Sequence, residues 1–175
     1  MEVEVIIDNK KVKADTSETI LEVARRIGIE IPTLCYLKGV NEPASCRVCV
    51  VEVEGARNLC TACSTKVRKD MVVKTNTTKV LKARKNALEL LLSNHNKNCL
   101  NCPKNLKCDF QKLTEQFHCD TEKYAGEMNT FETDDSNYAI VRDESKCILC
   151  GKCVAVCKKL QGCSAVTKVN RGFET

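Results

Sequence analysis

Most of the 14 cysteines in this sequence fall into three groups whose spacing suits metal chemistry. The last is the densest: Cys147-x2-Cys150-x2-Cys153-x3-Cys157, the bacterial ferredoxin run. Three thiolates at this interval hold three corners of a [4Fe–4S] cube, a spacing a single zinc ion does not need. Lys158 follows the fourth cysteine, where ferredoxins carry proline. The middle group is His95-x3-Cys99-x2-Cys102-x5-Cys108. His95 alone would read as a histidine ending a helix, which the helix dipole favours. Three cysteines close behind it read as a cluster or a zinc shell of three thiolates and one imidazole. The first group holds Cys35, Cys46 and Cys49, with Cys60 and Cys63 beyond. Cys46-x2-Cys49-x10-Cys60-x2-Cys63 is also a passable zinc ribbon that leaves Cys35 idle. A cluster would use Cys35, Cys46, Cys49 and one of the later two, and spacing does not choose between them.

The rest of the composition supports metal cross-links. There is no tryptophan, and three tyrosines and four phenylalanines are little bulky material for a core. The start, Met1-Glu2-Val3-Glu4-Val5, offers no secretory signal, and no apolar stretch approaches the ~20 residues that span a bilayer. The expected setting is a reducing cytoplasm, where clustered cysteines hold metals more often than disulfides. The formal charge of +5 invites a nucleic-acid reading, but it counts every cysteine as neutral. Three occupied clusters would together carry about five negative charges, so the basic excess offsets them.

The elements that must position these groups begin with two alternating strands, Val3 to Ile7 and Val12 to Ala14, around a turn at Asp8-Asn9. Asp15 and Glu18 have capping-box spacing before a helix carrying Ile20, Leu21, Ala24 and Ile27, which Gly28 ends. After Ile31-Pro32 comes a loop bearing Cys35, Cys46 and Cys49, a strand from Val48 to Val53, a turn at Glu54-Gly55, and a strand at Met71 to Val73. Strands around one helix predict a compact α+β unit. A helix from Thr78 to Asn94 buries Val80, Ala83, Ala87, Leu88, Leu91 and Leu92 and turns Lys79, Lys82, Arg84 and Lys85 to solvent. His95 emerges at its buried face. A further helix runs from Leu106 through Phe110 and Leu113 to Phe117, and Asp120 to Asn137 reads as a linker. Cys119 and His118 are expected to be a spare thiol and a surface residue.

Ile31-Pro32-Thr33-Leu34-Cys35, Cys46-Arg47-Val48-Cys49-Val50-Val51-Glu52-Val53 and Thr61-Ala62-Cys63-Ser64-Thr65 form a set. Together they resemble the [2Fe–2S] ferredoxin domain of [FeFe]-hydrogenases, of the iron–sulfur large subunit of complex I and of NAD-dependent formate dehydrogenases. The resemblance implies Cys63 as the fourth ligand, and His95, Cys99, Cys102 and Cys108 as the ligands of the next cluster. Arg142-Asp143-Glu144-Ser145-Lys146-Cys147 and Asn170-Arg171-Gly172-Phe173-Glu174-Thr175 are similar to the alpha subunits of NAD-linked, electron-bifurcating hydrogenases. The implied fold class is α+β, with four parts. They are a β-grasp plant-type ferredoxin domain (1–76), a small His-ligated [4Fe–4S] domain (77–119), a linker (120–138) and a partial bacterial-type ferredoxin domain (139–175).

The expected function is electron relay through one [2Fe–2S] and two [4Fe–4S] clusters, the last held by Cys147, Cys150 and Cys153. In two-cluster ferredoxins the fourth cysteine of a run serves the other cluster, so Cys157 is expected to serve one whose remaining ligands lie outside this sequence. Cys60, Cys119 and Cys163 are left over, and a third centre closed by Cys157 or Cys163 is the alternative. The resemblance implies as partners a flavoprotein that oxidises NADH, a small [2Fe–2S] subunit and ferredoxin in a hetero-oligomeric complex, with no nucleic acid. No G-x-G-x-x-G fingerprint and no nucleophile–base pair occurs, so catalysis is expected in a downstream domain. A zinc-binding module is the reading from another class.

Overall fold

A computed structural model describes residues 1–175, which form two compact units, Met1–Ala87 and Leu88–Thr175. In the first, β1 (Glu2–Ile7) and β2 (Lys10–Asp15) pair antiparallel, with Ile7 opposite Lys10. Asp8 and Asn9 between them have φ of 45° and 68°, the left-handed pair that a two-residue hairpin of right-twisting strands requires. The chain then crosses the sheet as α1 (Ile20–Arg26) and returns as β3 (Val50–Val53), β4 (Cys60–Thr61) and β5 (Met71–Lys74). The strand order is β2-β1-β5-β3-β4, with β1 and β5 parallel and the other pairs antiparallel. Val5, Ile7, Val51, Val53, Met71 and Val73 face Ile20, Leu21, Val23 and Ala24 in one core. Each such aliphatic side chain contributes roughly 1.5–3 kcal/mol by leaving water.

The α1 cap differs from expectation. Thr19, not Asp15, is the N-cap, and it forms a reciprocal capping box with Glu22. Asp15 and Glu18 close the preceding turn instead, with Asp15 N–H donating to Glu18 Oε2 at 2.9 Å. Both pairs have the same spacing, and the one adjoining the apolar run wins.

The long helix α2 (Thr78–Ser93) holds a larger correction. Arg84, expected on the solvated face, is 2% exposed. It lies at four-residue spacing between Val80 and Leu88, so its side chain enters the buried stripe. Glu89, five residues on, is buried too. Within the second unit its carboxylate accepts from Asp120 N–H at 3.1 Å and pairs with Lys123 at 2.5 Å.

The second unit continues with a 3₁₀ turn at Cys99–Asn101, α3 (Asp109–Gln116), a hairpin of β6 (Asp134–Asn137) and β7 (Ile140–Arg142), a 3₁₀ turn at Glu144–Lys146, α4 (Lys152–Lys159) and a last 3₁₀ turn at Gly172–Glu174. α3 starts three residues later than expected, because Leu106 has a φ of 61° and points to solvent. The hairpin begins inside the stretch read as linker. Its residues are exposed, so no alternation of apolar and polar residues marked it. No helix is long and apolar enough to cross a membrane. Of the aromatic residues, Tyr36 and Phe110 are buried, whereas Tyr138 is fully exposed.

Candidate metal centres

The first centre is built where the loop before β3 meets the turn after β4. Cys35, Cys49 and Cys63 are each 1% exposed and Cys46 is half-buried. Cys49 Sγ lies 3.3 Å from Cys63 Sγ. Cys60 turns elsewhere, with its thiol toward the Asn58 carbonyl at 3.8 Å. The fold holds Cys63 through α1. The first amides of a helix have no partner within it, and those of Ile20 and Leu21 donate to the carbonyls of Thr65 and Ala62 at 2.9 and 3.0 Å. The Thr61 and Ser64 hydroxyls meet at 2.6 Å inside that turn, and Ala62 N–H donates to the Cys49 carbonyl at 3.1 Å. Cys35 is fixed by Asn41, whose Nδ2 donates to its carbonyl at 2.7 Å, and by the buried Tyr36, over whose ring Arg25 lies at 5.3 Å.

The sulfurs act on one another. The hydrogen bond between the Cys49 and Cys63 thiols lowers Cys49 to about 6 against the cost of burial, with the amides of Cys63, Cys49 and Ala62 helping. Cys63 moves far up, first because its proton is shared with Cys49, then through burial and the negative charge of Cys49, Cys35 and Cys46. Burial would raise Cys35, but the amides and side chains of Cys46 and Ser45 outweigh it and lower the thiol. Burial keeps Cys46 raised, with Val48, Cys35 and Leu34 opposing through hydrogen bonds. Two of the four thiols, Cys35 and Cys49, are thus shifted toward thiolate by their hydrogen-bond donors, and two, Cys46 and Cys63, away from it.

The second centre surrounds a cavity of about 560 Å³. His95, Cys99, Cys102 and Cys108 all line it, as does Cys119. His95 meets Phe110 edge to face, with centroids 5.2 Å apart. Its Nδ1 is buried with no hydrogen-bond partner. A buried imidazole nitrogen left bare costs roughly 1–3 kcal/mol, and a metal at that atom removes the cost. Burial holds the ring below its ordinary pKa, opposed by the Cys147 backbone and the charge of Asp143, so the ring stays neutral and able to ligate. Cys108 caps α3, its sulfur accepting from Gln111 N–H at 3.5 Å. Gln111 also braces the loop through Leu106 N–H at 3.0 Å and Asn105 Oδ1 at 3.1 Å. His118 is exposed but lines the same cavity. Neither it nor Cys119 was expected there, and their position past the end of α3 was the available signal.

The third run is organised locally and left open. Cys147 and Cys153 are exposed and Cys150 is half-buried. Leu149 and Gly151 have φ of 53° and 75°, and Leu149 N–H donates to Cys147 Sγ at 3.3 Å. Cys153 and Cys157 stand one turn apart on α4, which lysine at position 158 lets run on to Lys159. Cys157 Sγ accepts from Ala165 N–H at 3.1 Å and lies 3.4 Å from Cys163 Sγ. In all three places no group of three or more His, Cys, Asp or Glu side chains converges as a single-ion site would require.

Three family models match. Residues 1–78 match a 2Fe-2S iron-sulfur cluster binding domain, 84–123 an NADH-ubiquinone oxidoreductase-G iron-sulfur binding region, and 140–159 a 4Fe-4S binding domain. The NADP-reducing hydrogenase subunit HndD of Solidesulfovibrio fructosivorans is 47% identical over 97% of this chain and 30% of its own length. An NADH-quinone oxidoreductase subunit of Rhizobium meliloti (strain 1021) is 35% identical over 99% of this chain and 20% of its own. This chain thus spans a third or less of these curated relatives. A crystal structure of NAD+-reducing [NiFe]-hydrogenase in the H2-reduced state superposes with a TM-score of 0.90 at 26% identity, over 98% of this chain and 72% of that one.

Proposed function

This chain belongs to the iron–sulfur family shared by NAD(P)-reducing hydrogenase subunits and the iron–sulfur large subunit of complex I, and from that premise we propose a three-centre relay. One [2Fe–2S] cluster is held by Cys35, Cys46, Cys49 and Cys63, and one [4Fe–4S] cluster by His95, Cys99, Cys102 and Cys108. A second [4Fe–4S] cluster is held by Cys147, Cys150 and Cys153, while Cys157 serves a further cluster completed from outside this chain. The observation that carries the reading is the bare, buried Nδ1 of His95 at a cavity lined by three more candidate ligands.

The clusters supply one-electron carriers of low potential, near roughly −400 mV for a plant-type two-iron centre. The protein's residues do the rest. The buried valines and isoleucines around Cys49 and Cys63 exclude water, and backbone amides neutralise thiolate charge. The neutral His95 leaves its shell one negative charge short of a four-thiolate shell. The strand order β2-β1-β5-β3-β4, with α1 packed across it, supports a β-grasp assignment for residues 1–76. Residues 77–119 are the His-ligated domain and 139–175 the partial ferredoxin domain, and the intervening 120–138 ends in β6, which pairs with β7 of the latter.

In the whole protein the relay serves an NAD(P)-linked [FeFe]-hydrogenase of the electron-bifurcating type in the cytoplasm. It exchanges electrons with a flavoprotein that oxidises NADH, a small [2Fe–2S] subunit and ferredoxin. The same relay in a complex I-like NADH dehydrogenase is the second reading, favoured by the 35% identity to the NADH-quinone oxidoreductase chain. Anaerobic reconstitution with iron and sulfide tests the relay. The expected result is a brown protein with [2Fe–2S] and [4Fe–4S] electron paramagnetic resonance signals after reduction. A colourless protein that takes up zinc instead would overturn it.

A further inference from the structure

Arg84 is a cation in a place where a cation is costly. Its side chain is 2% exposed on the stripe that also carries Val80 and Leu88. Its Nε and Nη2 donate to the Val50 carbonyl at 3.2 and 2.9 Å, so its fixed partner is a neutral oxygen rather than a carboxylate. Burying a guanidinium against a carbonyl alone is unfavourable, and a leucine would fill the stripe without that penalty. Val50 is the residue after Cys49, whose sulfur is buried in the first centre. Cys49 is also the anion that acts most strongly on the guanidinium. Asp8 acts on it less, and its carboxylate oxygens are engaged by Thr75, accepting from N–H at 2.7 Å and from Oγ1 at 2.5 Å.

We propose that Arg84 is a positioning residue whose buried positive charge is the counter-charge of the [2Fe–2S] centre and raises its reduction potential. This rests on the cluster assignment made above. A fixed cation favours the reduced centre over the oxidised one, because reduction adds a negative charge nearby in a medium that screens poorly. Arg84 bonds Val50, the first residue of β3 and the one after Cys49, so charge and ligand stay in register.

The test is a redox titration of the [2Fe–2S] signal in the reconstituted chain and in three variants. Arg84→Gln keeps a donor for Val50 but loses the charge, Arg84→Met loses both, and Arg84→Lys keeps the charge. The two neutral variants are expected to disfavour reduction by tenfold or more, a drop of at least 59 mV for one electron, with Arg84→Lys staying closer to the parent than either. Loss of the [2Fe–2S] signal from both neutral variants but not from Arg84→Lys leads to the same conclusion. Neutral variants that load and titrate with the parent overturn the proposal. So does an Arg84→Lys that falls as far as Arg84→Gln, or loss of the signal from all three, since fit rather than charge would then be required. A parent chain with no [2Fe–2S] signal would overturn the cluster assignment itself, whatever the variants do.

Discussion

The first and third cysteine groups reach similar local chemistry by opposite routes. Around Cys35, Cys49 and Cys63 a sheet, a helix and a buried turn bring together residues distant in sequence, and the sulfurs end up 1% exposed. Around Cys147, Cys150 and Cys153 the chain needs two left-handed residues and one helix start, and the thiols stay in or near solvent. The first site is therefore as stable as the fold that encloses it. The third costs little to form and is weakly protected. The His95 centre lies between, with local spacing for its cysteines but a packed aromatic contact for its imidazole.

The sharpest way to break this comparison is at the first centre. Cys63→Ser is expected to abolish the [2Fe–2S] signal, while Cys60→Ser keeps it, and a chain that exchanged these outcomes would show that the buried turn does not select the ligand. Next in size is a chelator challenge of the reconstituted chain, followed by iron release and spectra. The third centre should empty first and the [2Fe–2S] centre last. Simultaneous loss would mean that burial confers no protection. For the intermediate centre, His95→Ala should lose or degrade its [4Fe–4S] signal. His95→Cys should retain the signal at a lower potential, since a thiolate adds the negative charge that imidazole withholds. The smallest effect concerns the helix cap that anchors the Cys63 turn. Thr19→Ala should cost about 1 kcal/mol in denaturant unfolding. Glu22 is held below its ordinary 4.5, first by Lys38 at 2.8 Å and then by Thr19 N–H. Its depressed pKa contributes stability above about pH 4.5 that is lost as the pH falls through the lowered value. The gap between the parent and Glu22→Gln should accordingly close on acidification.

Legibility followed the range of the interactions. The ferredoxin run, the β1–β2 turn and the α1 core were readable, because each depends on neighbours a few residues away. That Cys63 rather than Cys60 lies beside Cys49 was not readable from spacing, since it depends on how the chain turns once β4 has paired with β3. Resemblance supplied it. Arg84 was misread because charge was weighed above position, although its four-residue spacing from Val80 and Leu88 was plain. The β6–β7 hairpin was invisible because none of its own strand residues is buried, so no hydrophobic alternation was needed to form it.

Cys108 carries a consequence for folding. Helix N-caps are ordinarily hydroxyls, amides or carboxylates, yet here a sulfur accepts the Gln111 amide. The same atom is the proposed cluster ligand, so occupancy and helix share a free energy. A ligated thiolate at the positive end of α3 stabilises the helix by roughly 0.3–1 kcal/mol. By linkage, α3 returns that increment as affinity for the metal. A mutation that weakens α3 away from the cavity lining, such as glycine at exposed Lys112, should then loosen the cluster while leaving each of its ligands in place.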